Sequence, residues 1–278
     1  DNRKILVLTL SLAFNLTALM MTGTRSAMLG LLLLSGLLVA ILYTCWDALA
    51  VSQWSARKRV AVPVLLLGVA FGLGSIPSGN AQLVQNYGEG NALDWAFLRA
   101  ASMAAPTEYT TGSFSIRAAM WKATGRMVAA RPLTGVGAGA WEVDAPLYQN
   151  PGTQLETDFY AHNEILQLLS EYGLAGWIFL LGLAGYLGIA ALRTLSNKSP
   201  EGRREAPLRS FALASLLVFL LVSNAGFPWR LAATGALFAL SLSILAASDL
   251  RLRGSEARGS RFHAWKSSRT HSALWITG

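Results

Sequence analysis

Residues 160–192, YAHNEILQLLSEYGLAGWIFLLGLAGYLGIAAL, join two kinds of chemistry without a break. His162, Asn163, Glu164, Gln167 and Glu171 fall within three helical turns. The stretch from Gly176 to Leu192 then carries no charge at all. An uncharged apolar run of that length is what a bilayer-crossing helix requires. Its polar head reads either as the solvated end of a span at the membrane surface or as a site.

The rest of the chain supports the membrane reading. Of 278 residues, 53% are hydrophobic and only 14% are charged, and the mean hydropathy is +0.41. A soluble domain of this size is more highly charged and less apolar. The net charge of +8 does not point to nucleic acid, because the Lys and Arg residues lie in clusters between apolar runs, as membrane topology demands, and form no basic stripe. Cys45, the single cysteine, lies in an apolar run, which excludes an intrachain disulfide framework or a cysteine-based zinc site. The chain opens at Asp1 without an initiator Met, and Lys4 leads directly into an apolar run with no small-residue cleavage site. This start reads as part of a longer chain, not as a secretory signal.

Six runs have membrane length: 4–21, 27–46, 60–76, 164–192, 208–224 and 231–248. Their connections alternate between two sides. One side holds Arg3, Lys4, the cluster 57–59, the basic residues from Arg193 to Arg209, and the tail from Arg251 to Arg269, altogether 16 of the 23 Lys and Arg residues. The other side holds seven, although it includes the long segment 77–163. The imbalance assigns the 16, and with them both termini, to the cytoplasm. The expected fold is an all-α integral membrane protein of six transmembrane helices, with one large periplasmic loop containing an amphipathic helix. Its parts are three spans in 1–76, the loop 77–163, three spans in 164–248 and a basic cytoplasmic tail, 249–278. Arg25, the whole loop with His162 at its end, and Arg230 then emerge on the same external face. Singly, an arginine beside a helix end is as readily a headgroup anchor.

Within the loop, residues 77–112 are weakly patterned and carry little functional information; a short helix is expected near 93–104. SFSIRAAMWKATGRMVAARP (113–132) has a helical period that groups Ile116, Met120, Met127 and Val128, with Pro132 as its stop. It reads as an amphipathic helix at the membrane surface, where its basic residues would meet lipid phosphates. Glycines 135, 137 and 139 invite a phosphate-loop reading, but no strand precedes them and no Lys-Ser/Thr follows. A tight turn that lets the backbone approach another segment fits better. Asp144, Glu156 and Asp158 with His162 would suit a metal site only if their spacing were ordered, which it is not, and a solvated acidic loop is the ordinary alternative.

Four stretches together resemble the O-antigen ligase and polymerase superfamily. They are TGTR (22–25) opening a span, R-x-x-M-W (Arg117 to Trp121), P-x-x-G-x-G-x-G (132–139) and AHNEILQLLSEYGLAG (161–176). Members are multi-spanning bacterial inner-membrane enzymes acting on undecaprenyl-diphosphate glycans. The resemblance implies a glycosyltransferase of the GT-C-like type, inverting and metal-independent, using no cofactor and no nucleic acid. The glycan would pass to a lipid A core, a second glycan or a protein. It also implies that this chain corresponds to the C-terminal half of a longer enzyme; the tail after 249 matches nothing in the family. By this resemblance His162 is the general base, a task that suits a neutral imidazole. Arg25 and Arg117 bind the diphosphate, which guanidinium does bidentately. Arg230 is added to them from topology. Asn163, Glu164, Gln167 and Glu171 are supporting residues, the last three on one stripe at i, i+3 and i+7. The rival class is a carrier of the same lipid that binds diphosphate without chemistry.

Overall fold

The computed structural model describes residues 1–274 except Gly23, Ser78, Asn80, Gln82, Leu83, Asn86, Tyr87, Thr111 and 151–159, with the backbone alone for Glu108 and 255–274. It is all-helical, with no strand among the described residues. In chain order the helices are α1 (Asn2–Thr22), α2 (Arg25–Thr44), α3 (Ala56–Gly74), α4 (Ala92–Ser102), α5 (Pro106–Thr110), α6 (Ser113–Ala130), α7 (Trp141–Asp144), α8 (Glu164–Tyr172), α9 (Leu174–Ser196), α10 (Pro200–Val222) and α11 (Ala232–Leu274).

Five of them, α1, α2, α9, α10 and the Ala232–Gly254 part of α11, are long and apolar enough to cross a membrane. The sixth expected span, 60–76, is not among them. In α3 the basic residues 57–59 occupy the first turn and the helix ends at Gly74, which leaves an apolar part of about 22 Å at about 1.5 Å per residue. It packs along α1, where Thr17 Oγ1 donates to the Ala70 carbonyl at 3.3 Å. The expected span 164–192 is corrected. It is two helices, α8 and α9, which meet at Gly173, and the polar residues all belong to the first.

Two contacts organise the bundle. Gly30 lets α2 lie close against α10, since a Cβ there would sit 3.1 Å from Val222 Cγ2 and 3.2 Å from Val218 Cγ1. Near the other end Arg209, expected among the cytoplasmic basic residues, is buried inside α10 at 1% exposure. Its guanidinium donates to Thr194 Oγ1 at 2.9 Å, Ser248 Oγ at 3.2 Å, Asp249 Oδ1 at 2.8 Å and the Ala190 carbonyl at 3.3 Å. A buried charge survives only when paired and hydrogen-bonded; here the pairing ties α9, α10 and α11 together.

The short helix expected near 93–104 is α4, capped by the Asn91 side chain and laid on α1, α2 and α3. The amphipathic helix is α6, but its apolar side faces protein. Met120, Ala123, Thr124 and Met127 are buried, and Met127 clusters with Trp141, Ala145 and Ala161. Ile116, expected on that side, is 43% exposed. Trp141 Nε1 closes the packing by donating to the buried Thr124 hydroxyl at 2.9 Å. The tail boundary at 249 is not a helix end, because α11 runs on to Leu274.

Candidate functional site

The site begins with the break between α8 and α9. Gly173 has φ +53° and Gly135 has φ +66°, both in the left-handed region that disfavours side chains. They face each other so closely that a Cβ on Gly173 would lie 2.6 Å from the Gly135 nitrogen and from the Leu133 carbonyl. The glycine segment therefore inserts into the helix break and satisfies its backbone. Val136 N–H donates to the Ser170 carbonyl at 2.8 Å, Gly137 N–H to the Glu171 carbonyl at 3.1 Å, and Leu174 N–H to the Leu133 carbonyl at 3.0 Å. These are groups that a helix end leaves orphaned. The close-approach reading of glycines 135, 137 and 139 holds for the first two, and the amides of 136 and 137 serve α8 instead of a phosphate.

Held in this way, α8 projects its polar residues inward. Asn163 caps it, its Oδ1 accepting from Leu166 N–H at 3.0 Å, as cap residues of this type do. Glu164, Gln167 and Glu171 are buried at 3%, 2% and 2% exposure. Gln167 works in both directions: its Nε2 donates to Glu171 Oε1 at 2.8 Å, and its Oε1 accepts from Ala161 N–H at 3.0 Å. Arg230 closes the stripe, with Nε 3.3 Å from Glu164 Oε2 and Nη2 3.7 Å from Glu171 Oε2. Its guanidinium also covers the Tyr160 ring at 5.0 Å. Burial pushes the Glu164 carboxyl above its ordinary value, against the pull of Arg230 and of the Trp229 backbone N–H, because desolvation penalises the charged form. Among the described residues its buried Oε1 has no hydrogen-bond partner.

His162 sits at the head of this arrangement in an unusual backbone state, φ +50°, the only non-glycine residue with positive φ among those described. Such conformations persist only where neighbours impose them, and they collect at functional sites. The neighbours here are specific. The preceding residue, Ala161, is fixed by Gln167 on its N–H and by Trp121 Nε1, which donates to its carbonyl at 3.0 Å. The half-buried imidazole lies against Phe227, 5.4 Å between centroids, and Phe227 in turn packs on Tyr160 at 5.0 Å.

Beside this cluster lies a cavity of 570 Å³. Arg25, Arg99 and Arg117 enter it from α2, α4 and α6, while Leu29, Leu33, Leu221 and Val222 of α2 and α10 form an apolar wall. Arg25 is anchored to both loop helices, through Nη2 to Ser102 Oγ at 2.9 Å and Nη1 to Ser113 Oγ at 3.5 Å. Trp121 is the link between the two halves: its ring lines the cavity and its N–H holds the residue before His162.

The sequence-derived residues thus divide. Arg25 and Arg117 share the cavity, and Asn163, Glu164, Gln167 and Glu171 share the stripe behind His162. Arg230 is not among the cavity-lining residues; its guanidinium is engaged by the two glutamates. Arg99 escapes the sequence reading, although it is the sole basic residue between Arg59 and Arg117, a signal that the loop does carry. Trp121 enters that reading only as one letter of a motif. Among the described residues no three His, Cys, Asp or Glu side chains converge on a metal position; Glu156 and Asp158 lie outside the described residues.

No curated protein and no solved structure matches the chain. A family model described as O-antigen ligase matches residues 10–181. That interval takes in Arg25, the cavity-lining loop helices, the glycine segment and α8. Covering more than half of the chain, the match shows that this membrane protein belongs to the O-antigen ligase family, whose chemistry is glycan transfer.

Proposed function

We propose that this chain transfers a glycan from undecaprenyl diphosphate to an acceptor hydroxyl at the periplasmic face of a bacterial inner membrane. The supporting observation is a cavity that combines three arginines with an apolar wall and that Trp121 links to a conformationally imposed histidine, itself not among the lining residues. Arg25 and Arg117 bind the donor diphosphate, and the wall formed by α2 and α10 takes the first isoprene units of its tail. His162 accepts the proton of the acceptor hydroxyl as that oxygen bonds to the anomeric carbon. The bond from this carbon to the diphosphate breaks, and its electron pair passes to the leaving oxygen, with attack from the opposite side inverting the anomeric centre. Arginine at this position stabilises charge where it develops, the largest single contribution in many active sites. It also removes the need for a metal. Arg230 serves to hold Glu164 and Glu171, and through Gln167 the backbone of residue 161.

Transfer by the purified protein, with undecaprenyl-diphosphate glycan as donor, tests this. His162→Ala is expected to lose about 10²–10⁴-fold in turnover, the usual contribution of a general base, while still binding donor. Arg25→Lys and Arg117→Lys are expected to lose roughly ten- to hundredfold despite keeping their charge, because an ammonium cannot form the bidentate pair. Turnover of His162→Ala at the parental rate would eliminate the base assignment. Lipid movement that persists in every variant, without transfer, would favour a carrier.

A further inference from the structure

Beside its arginines and its aliphatic wall the cavity has a third kind of surface. Three aromatic side chains, Tyr109, Phe114 and Trp121, line it, and they touch in series. The Tyr109 and Phe114 rings are 5.3 Å apart at 62°, and those of Phe114 and Trp121 5.9 Å apart at 86°. Both contacts are edge-to-face, an arrangement that ring quadrupoles favour. Tyr109 belongs to α5, whereas Phe114, Arg117 and Trp121 follow one another on α6 at i, i+3 and i+7, a spacing that sets them on one stripe. Tyr109 and Phe114 are 56% and 40% exposed, a large apolar surface for a segment outside the five membrane-length helices.

Aromatic residues at the outer face of a membrane protein ordinarily belong to the interfacial belt, where the polar tip sits among headgroups. Here the polar tips are engaged by protein. Tyr109 Oη donates to the Met103 carbonyl at 2.9 Å and Trp121 Nε1 to the Ala161 carbonyl at 3.0 Å. The part of the donor that matches such rings is a pyranose. Its axial C–H groups make a weakly positive apolar face, complementary to the negative face of an aromatic ring. Order along the donor fixes the place. With the diphosphate on Arg25 and Arg117, the first sugar is one bond further on, and its anomeric carbon has to reach His162. Trp121 stands between the two, one helical turn past Arg117 and bonded to the residue that precedes His162. We propose that Phe114 and Trp121, extended by Tyr109, form a stacking subsite for the donor's first sugar, the one whose anomeric carbon is attacked. The inference rests on the glycan-transfer reading above and adds what selects the donor: an apolar sugar face, beyond the diphosphate and tail common to every undecaprenyl carrier.

The probes are undecaprenyl diphosphate alone and undecaprenyl diphosphate bearing a single glucose, a sugar whose ring hydroxyls are all equatorial. Each is bound to the purified protein in detergent without acceptor. Phe114→Leu keeps an apolar side chain and removes the aromatic face. It is expected to weaken the glucosylated lipid by roughly three- to tenfold, the range that aromatic contacts add beyond burial, and to leave the bare lipid within about twofold of the parent. Phe114→Tyr should bind both lipids as the parent does. Tyr109→Leu, at the other end of the series from Trp121, should show the same selectivity with a smaller loss. If neither leucine variant loses the glucosylated lipid selectively, whether both lipids weaken equally or neither changes, the proposal is overturned. Parental donor binding with a raised KM for acceptor also overturns it and moves the stacking surface to the acceptor. The glycan-transfer reading fails separately: it is lost if Arg25→Gln and Arg117→Gln leave binding of the bare lipid unchanged.

Discussion

At the scale of single residues, the stripe on α8 shows how a backbone at the site is held in a state it would not choose. The i, i+3, i+7 spacing of Glu164, Gln167 and Glu171 was legible because a helix surface repeats that way. Their partners were not, since Ala161 and Arg230 are brought in by turns and tertiary packing that no local pattern encodes. Burial of Glu164 leads to a prediction about pH. Its folded pKa is raised above the ordinary 4.5, so the native protein retains a proton that the unfolded chain releases. Stability from this group is full below the ordinary 4.5 and is lost as pH rises through the raised value. Glu164→Gln keeps the shape of the protonated form and cannot ionise. Its thermal midpoint in detergent should match the parent at about pH 4 and exceed it increasingly toward about pH 8. A midpoint gap that stays constant across that range, or that reverses in favour of the parent, would mean that the ion pair with Arg230 outweighs burial.

At the scale of elements, the glycine break between α8 and α9 decides whether the polar stripe is held against Ala161 and Arg230 or continues into the membrane. The apolar run after Gly176 and the polar run before it were both plain from composition. The boundary between them was not, because EYGLAG satisfies helical periodicity and only the left-handed φ of Gly173, stabilised by the inserted segment 133–137, interrupts it. The same applies to α6, whose apolar stripe fits lipid and protein equally by pattern alone, and which Trp141 and Ala145 cover. Gly173→Ala places a Cβ against the Leu133 carbonyl and the Gly135 amide, in a backbone region costing about 1–3 kcal/mol for a side chain. The expected result is a clear fall in thermal midpoint together with loss of transfer. Gly182→Ala, in the middle of α9 with nothing within 4 Å of its Cβ, should be neutral or slightly stabilising, as alanine is the better helix former. Equal behaviour of the two variants would show that the break is not what positions α8.

At the scale of the whole molecule, the cavity is assembled from positions far apart in the chain. Arg25 meets Ser102 and Ser113, 77 and 88 residues away. A pattern search along the sequence places each arginine on the same membrane face but gives no contact between them, which is why Arg99 was overlooked. Sidedness is therefore the premise on which the site depends, and it rests on the basic residues. One of the 16 assigned to the cytoplasm, Arg209, is buried in the bundle and pairs with Asp249, so it carries no topological weight. The remaining clusters at 57–59 and 193–204 still flank α3, α9 and α10 at the ends away from the cavity, those from Arg251 onward follow the apolar part of α11, and the positive-inside rule counts residues near span ends. With Cys45 replaced by serine, a cysteine at Glu89, an exposed position in the segment 77–112, is expected to react with a membrane-impermeant maleimide on intact cells. A cysteine at Lys198, exposed in the turn between α9 and α10, is expected to react only after the membrane is opened. The two sites lie on opposite ends of the bundle, so one labelling experiment orients every span. If Lys198→Cys labels from outside and Glu89→Cys does not, the three arginines face the cytoplasm, where nucleotide-sugar chemistry and not a periplasmic glycan carrier would supply the substrate.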